Sequence, residues 1–106
     1  MPSETGGLLG PLFGGSRADA ELSDRAFLQA MLDAERALAV AASRAGVVPE
    51  PAAAAIAAAC RADRFDPGDL GRRAEAAGNP VVPLVRDLTE AVEGEAGPEA
   101  ARWVHH

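Results

Sequence analysis

Lysine and tyrosine are absent from this 106-residue chain, and cysteine and tryptophan occur once each. A lone thiol, Cys60, cannot close an internal disulfide, which points to an intracellular, cytoplasmic protein. All ten basic side chains are arginines, set against 16 carboxylates for a net charge of −6. Nonspecific affinity for phosphate backbones and anionic membrane surfaces comes from surplus positive charge, so the balance argues against nucleic acid and membrane as partners. No apolar run approaches the roughly 20 residues of a membrane-spanning helix, and no basic region followed by an apolar stretch opens the chain. Sustained period-two alternation is missing too, which argues against strands.

What is plentiful is alanine, at 25 residues, whereas Leu, Ile, Val and Phe together number only 22. Alanine lets helices approach closely but buries little area per residue. A core of this kind is thin for a single domain, and the chain reads most naturally as part of something larger.

Helix signals follow one another along the chain. Residues 1–22 hold five glycines and Pro11, interleaved with Leu8, Leu9, Leu12 and Phe13, and read as a Gly-rich arm with one helical turn near its end. No β-branched strand leads into these glycines, so they form neither a phosphate loop nor a dinucleotide fingerprint. A helical domain over residues 23–106 follows, with Ser23 as N-cap of a long helix over residues 24–45. Phe27, Met31, Leu38 and Ala42 recur at helical spacing, with Leu28, Leu32 and Ala39 widening the stripe and Glu35 beside it; Gly46 is the stop. An alanine run over residues 52–61 predicts a second helix. Asp66-Pro67, with Asp69 imitating a capping box, starts a short one that ends before Gly78. Asn79-Pro80 makes a turn into a helix carrying Leu84, Val85, Leu88 and Val92, closed by Gly94 and Gly97. Pro98 begins a last apolar segment through Trp103 and Val104. The expected fold is a small all-α domain of about five helices.

Groups suited to catalysis are few. No serine stands beside a base, and the only histidines are His105 and His106, which as neighbours point in different directions and do not match the i, i+4 spacing of a helical metal pair. No metal site is expected. Cys60, at the end of an alanine helix, reads as a small buried hydrophobe. Two loci stand out: the Gly78-Asn79-Pro80 turn, where Asn79 is either a backbone cap or an exposed amide donor, and the Trp103-Val104-His105 segment, either a frayed end or a held titratable side chain.

The order of four segments carries a resemblance. Ser23-Asp24-Arg25 with Leu28-Gln29-Ala30-Met31-Leu32-Asp33-Ala34-Glu35 looks like the opening long helix of the aspartase/fumarase superfamily. Gly46-Val47-Val48-Pro49 and Ala57-Ala58-Ala59-Cys60 follow in place. Gly78-Asn79-Pro80-Val81-Val82-Pro83-Leu84-Val85 resembles a G-N-x-x-x-P-L-V segment, and Trp103-Val104-His105 resembles an aromatic-Val-His lead into G-A-T-S-Q-D. Within the superfamily the likeness is to the 3-carboxy-cis,cis-muconate cycloisomerase family, from about residue 16 onward. It implies the N-terminal helical domain of a cytoplasmic homotetramer that interconverts 3-carboxymuconate and carboxymuconolactone in protocatechuate breakdown. It also implies a small polycarboxylate substrate, no metal or organic cofactor, and substrate contacts at His105, Asn79, Gly78 and Arg17. The family's general acid histidine and its loop serine belong to later segments, so no catalytic residue is expected here and the isolated chain is expected to be inactive. A nitrosuccinate lyase-like or adenylosuccinate lyase-like enzyme is the alternative, as is a noncatalytic helical association domain. The adenylosuccinate group usually carries His at the Gly78-Asn79 locus, so Asn79 argues against it.

Overall fold

A computed structural model describes residues 17–106, with side chains from Ser23 onward. Five α-helices and one 3-10 turn make up these described residues: α1 (Arg17–Arg44), α2 (Glu50–Ala59), the turn Ala62–Arg64, α3 (Pro67–Ala77), α4 (Val81–Ala96) and α5 (Pro98–Ala101). The fold is all-α, as expected.

The start of α1 differs from the expectation. The helix begins at Arg17, six residues ahead of Ser23, which is an exposed residue within it and not its N-cap. Ala18, Ala20, Glu21 and Leu22 are good helix formers with no glycine or proline among them, so the helix propagates through Ser23 unbroken. The last six residues of the expected arm thus belong to α1, and residues 1–16 lie outside the described residues. At 28 residues α1 runs to about 42 Å. Its other end is as expected: Gly46 takes φ 80°, and the amides of Gly46 and Val47 turn back to the carbonyls of Ser43 and Ala42, at 2.9 Å each.

The face that α1 buries is also rotated from the expected one. Leu28, Leu32, Glu35 and Ala39 are buried, whereas Phe27 and Leu38 are 58% and 38% exposed. A spacing of four, three and four residues keeps the buried set on one line along the helix, and Phe27 and Leu38 fall on its flank. Against this line packs α2, through the small side chains Ala52, Ala53 and Ala59 and the larger Ile56. Also packed on α2 are α4, burying Leu84, Leu88 and Val92, and α5, burying Ala101. The second helix ends two residues before the expected limit, because Arg61 adopts an extended backbone.

Polar bonds fix the joints. Gln29 Oε1 accepts from the amide of Ala62 at 2.8 Å, and its Nε2 donates to the Cys60 carbonyl at 3.2 Å, so one side chain holds the end of α2 to α1. Asp66 caps α3 by accepting from the amides of Gly68 and Asp69 at 3.0 and 3.2 Å. The reciprocal half of the capping box is absent: Asp69 instead accepts from Arg73 Nε at 3.1 Å. Arg73 also grips Asp87 with both terminal nitrogens, tying α3 to α4. Gly94 does not end α4, which continues to Ala96; Gly97, at φ 91°, makes the turn into α5.

The rotated face gives a direct test. Leu32→Ala removes a fully buried side chain and should cost about 2–5 kcal/mol in urea unfolding. Phe27→Ala, on the exposed flank, should cost under about 1 kcal/mol. Equal losses would return Phe27 to the core.

Candidate functional site

A pair of side chains 70 residues apart in sequence meets where α1 passes the end of the chain. Glu35 occupies the buried line of α1 between Leu32 and Ala39 and is only 8% exposed. Its Oε2 lies 2.7 Å from Nδ1 of His105, while its Oε1 is buried with no hydrogen-bond partner among the described residues. The histidine arrives there through a tight backbone path. After α5 the amides of Trp103 and Val104 bond back to the carbonyls of Ala100 and Ala101 at 3.2 and 3.1 Å, and Val104 is buried as an anchor. His105 then takes φ 62°, the left-handed region that costs an ordinary residue roughly 1–2 kcal/mol. That turn carries the imidazole to Glu35, with half of the side chain still open to solvent. An ionised Glu35 can only accept, so the imidazole donates from Nδ1 and leaves Nε2 uncommitted among the described residues.

His106 goes elsewhere. Its ring packs edge-on to Trp103 at 4.8 Å between centroids, and the Arg102 guanidinium lies 5.3 Å from the same indole.

The other expected site residues sit on different elements. Asn79 is exposed, and its Oδ1 accepts from the amides of Val81 and Val82 at 2.9 and 3.2 Å. Its oxygen is therefore a helix cap for α4, while its Nδ2 makes no hydrogen bond among the described residues. Gly78 ends α3 at φ 85°, and its amide bonds the Ala74 carbonyl at 2.9 Å. A Cβ there would touch nothing, so the backbone angle and not space calls for glycine. Arg17 opens α1, and its side chain lies outside the described residues. No hydrogen bond links Asn79 to His105. Both loci nevertheless lie along α1: Pro80 shares an apolar groove of about 230 Å³ with Asp24, Phe27, Leu28 and Met31, and His105 meets Glu35 one turn further on.

The contact at Glu35 was not legible in the sequence, yet Glu35 left a signal: a carboxylate in register with Leu28, Leu32 and Ala39. Cys60 is buried and its thiol is pushed up to about 11, by burial first and then by the nearby Glu35 carboxylate. It is an inert core thiol.

No family model matches the chain. It is 48% identical over 99 residues to nitrosuccinate lyase from Streptomyces davaonensis, an alignment that covers 93% of this chain and 21% of that enzyme. It is 51% identical over 83 residues to 3-carboxy-cis,cis-muconate cycloisomerase from Pseudomonas putida, covering 78% of this chain and 19% of that enzyme. The crystal structure of 3-carboxy-cis,cis-muconate lactonizing enzyme from Pseudomonas putida superposes with a TM-score of 0.78 at 45% identity, over 93% of this chain and 22% of the other. The chain spans about a fifth of the length of the curated relatives it matches.

The thiol beside Glu35 has a clear pH signature. With lysine and tyrosine absent, Cys60 is the one side chain of the sequence that titrates between pH 9 and 11. Unfolded, it loses its proton near its ordinary 9.0; folded, it keeps it to about 11. Unfolding in that window releases a proton, so stability should fall as pH rises from 9 to 11, with no such slope below 9. Urea unfolding across this range measures it. Cys60→Ala should abolish the slope, and a thiol reagent should label native Cys60 only slowly at pH 8.

Proposed function

We propose, for a chain homologous to the N-terminal region of 3-carboxy-cis,cis-muconate cycloisomerases of the aspartase/fumarase superfamily, that these residues supply one wall of a cycloisomerase active site. The observation that carries the reading is the His105 ring, held by a buried carboxylate on one nitrogen and open to solvent over half its side chain. The substrate is a small polycarboxylate, 3-carboxy-cis,cis-muconate. One of its carboxylate oxygens adds across an activated double bond to close a lactone, and the carbon beside the activating carboxylate takes a proton; the reverse is a β-elimination. Negative charge builds on the activating carboxylate during either direction, and preorganised donors aimed at it lower the barrier.

This chain's residues offer such donors. His105 carries an Nε2–H when its ring is protonated, and Asn79 has an amide NH2, without a partner among the described residues, beside the turn that Gly78 allows. Arg17 adds a cation at the start of α1. Proton transfer is assigned to none of them. In the whole protein the reading includes a homotetramer, and exposed Phe27, Val47, Val81 and Val82 support a surface that further protein covers.

A nitrosuccinate lyase is the second reading, supported by 48% identity over 93% of this chain. Both substrates carry more than one carboxylate by name, so the same donors serve either. Offering each compound to the whole protein separates them. Loss of 3-carboxymuconate absorbance is the expected result, and turnover of nitrosuccinate alone would move the assignment.

Two further outcomes follow from this reading. The pure 106-residue chain should leave 3-carboxymuconate unchanged beyond the uncatalysed background, since this reading assigns proton transfer to none of its residues; enzyme-like turnover by it would sink the partial-site reading. In the whole protein, Asn79→Asp keeps the capping oxygen but replaces the amide donor with an acceptor. It should leave Tm nearly unchanged and lower kcat/KM by roughly 10²-fold. Wild-type kinetics in that variant would leave Asn79 as a cap alone.

A further inference from the structure

The carboxylate of Glu35 stands in a place that stability alone does not favour. Its line on α1 is otherwise apolar: Leu28 is 3% exposed, Leu32 fully buried and Ala39 5% exposed. Burying a carboxylate costs free energy unless its oxygens find donors, and Oε1 finds none among the described residues. A leucine there would continue the core, and replacing a buried ionic group with a well-packed apolar one is often neutral or stabilising. The partner does not repay the burial either, because a pair whose imidazole is half exposed contributes modestly. The backbone of His105 adds its own strain at φ 62°. Two unfavourable features thus converge on one contact, the 2.7 Å bond between Nδ1 and Oε2.

We propose that Glu35 is the positioning residue of His105: its buried carboxylate accepts the Nδ1–H, fixes the ring, and leaves Nε2 as the nitrogen that meets a substrate carboxylate. The inference rests on reading His105 as a substrate contact. Rigidity comes from the helix, since Glu35 is held in mid-helix on α1, with buried Leu32 and Ala39 either side. Val104, buried one residue earlier, fixes the backbone from which the ring reaches. With Nδ1 donating, a protonated ring has a single N–H left to give, and it projects from the opposite side of the imidazole. A substrate carboxylate therefore meets a donor whose direction is set before it arrives, the arrangement that makes such a bond effective in a transition state.

The experiment combines kinetics, stability and a tautomer readout. In the whole protein, Glu35→Leu should lower kcat/KM at least about tenfold and His105→Ala roughly 10²-fold, while the double variant should be no worse than His105→Ala. Tm of Glu35→Leu should stay level or rise. Should Glu35→Leu fail to fold, Glu35→Met, which likewise removes the acceptor, carries the same kinetic test. In the 106-residue chain His105 and His106 are the only histidines, so 15N shifts of the neutral rings report the tautomer directly. His105 should be the Nδ1–H form, reverting to the ordinary Nε2–H form in Glu35→Leu, with His106 unchanged. Additive losses in the double variant, unaltered kinetics in Glu35→Leu, or an unchanged His105 tautomer would each overturn the positioning role. Full activity in His105→Ala would instead remove the substrate-contact reading on which it stands.

Discussion

Burial of a single line of side chains on α1 sets where the other elements can lie. Leu28, Leu32, Glu35 and Ala39 form that line; α2 packs against α1 and also against α4 and α5, and α3 touches both α1 and α4. Alanine dominates the middle layer, with Ala52, Ala53 and Ala59 all buried. Each contributes little apolar area, roughly 0.8 kcal/mol per buried methyl-sized group, so the layer stabilises chiefly by letting its neighbours approach closely. The larger side chains that fill this space, Ile56, Leu84, Leu88 and Val92, come from α2 and α4.

A core of small residues leaves orientation underdetermined, and polar bonds complete it. Gln29 is the clearest instance. An α-helix ends with carbonyls that lack partners, and Gln29 meets the Cys60 carbonyl and the Ala62 amide together, where the chain leaves α2 and enters the 3-10 turn. Arg73 does the same work between α3 and α4 with a two-point grip on Asp87 that fixes angle as well as distance. By contrast Arg61–Asp63 and Arg102–Glu99 are exposed ion pairs and contribute little.

Helix ends were readable from sequence wherever local chemistry decides them. Asp66-Pro67, Gly46 and Gly78 act through their own backbone angles and cap bonds, which neighbouring residues alone specify. The start of α1 was not readable: Ser23 has the chemistry of an N-cap, but a cap needs the helix to stop, and the alanine-rich residues before it do not let it. The buried face was legible to within one flank. Leu28, Leu32 and Ala39 lay in the expected stripe, while placing Phe27 on its flank required knowing how the other helices pack against α1. The site was half visible. His105 and Asn79 could be singled out from their segments, but the Glu35 contact spans 70 residues, and no local pattern encodes a partner at that separation.

His105 and Asn79 share a division of labour that follows from their chemistry. Each has two hydrogen-bonding ends. At Asn79 the oxygen is committed to the first amides of α4, and the NH2 is left over. At His105 one ring nitrogen is committed to Glu35, and the other is left over. A side chain anchored at one end loses most of its rotamer freedom on folding, so the free end is presented in one direction with little entropy left to lose on binding. Serine or lysine could not be used this way, since a hydroxyl rotates and an ammonium has no rigid opposite end. An amide and an imidazole, each planar and each pinned on one edge, are the side chains that can be part of the scaffold and still hold a hydrogen-bonding group outward.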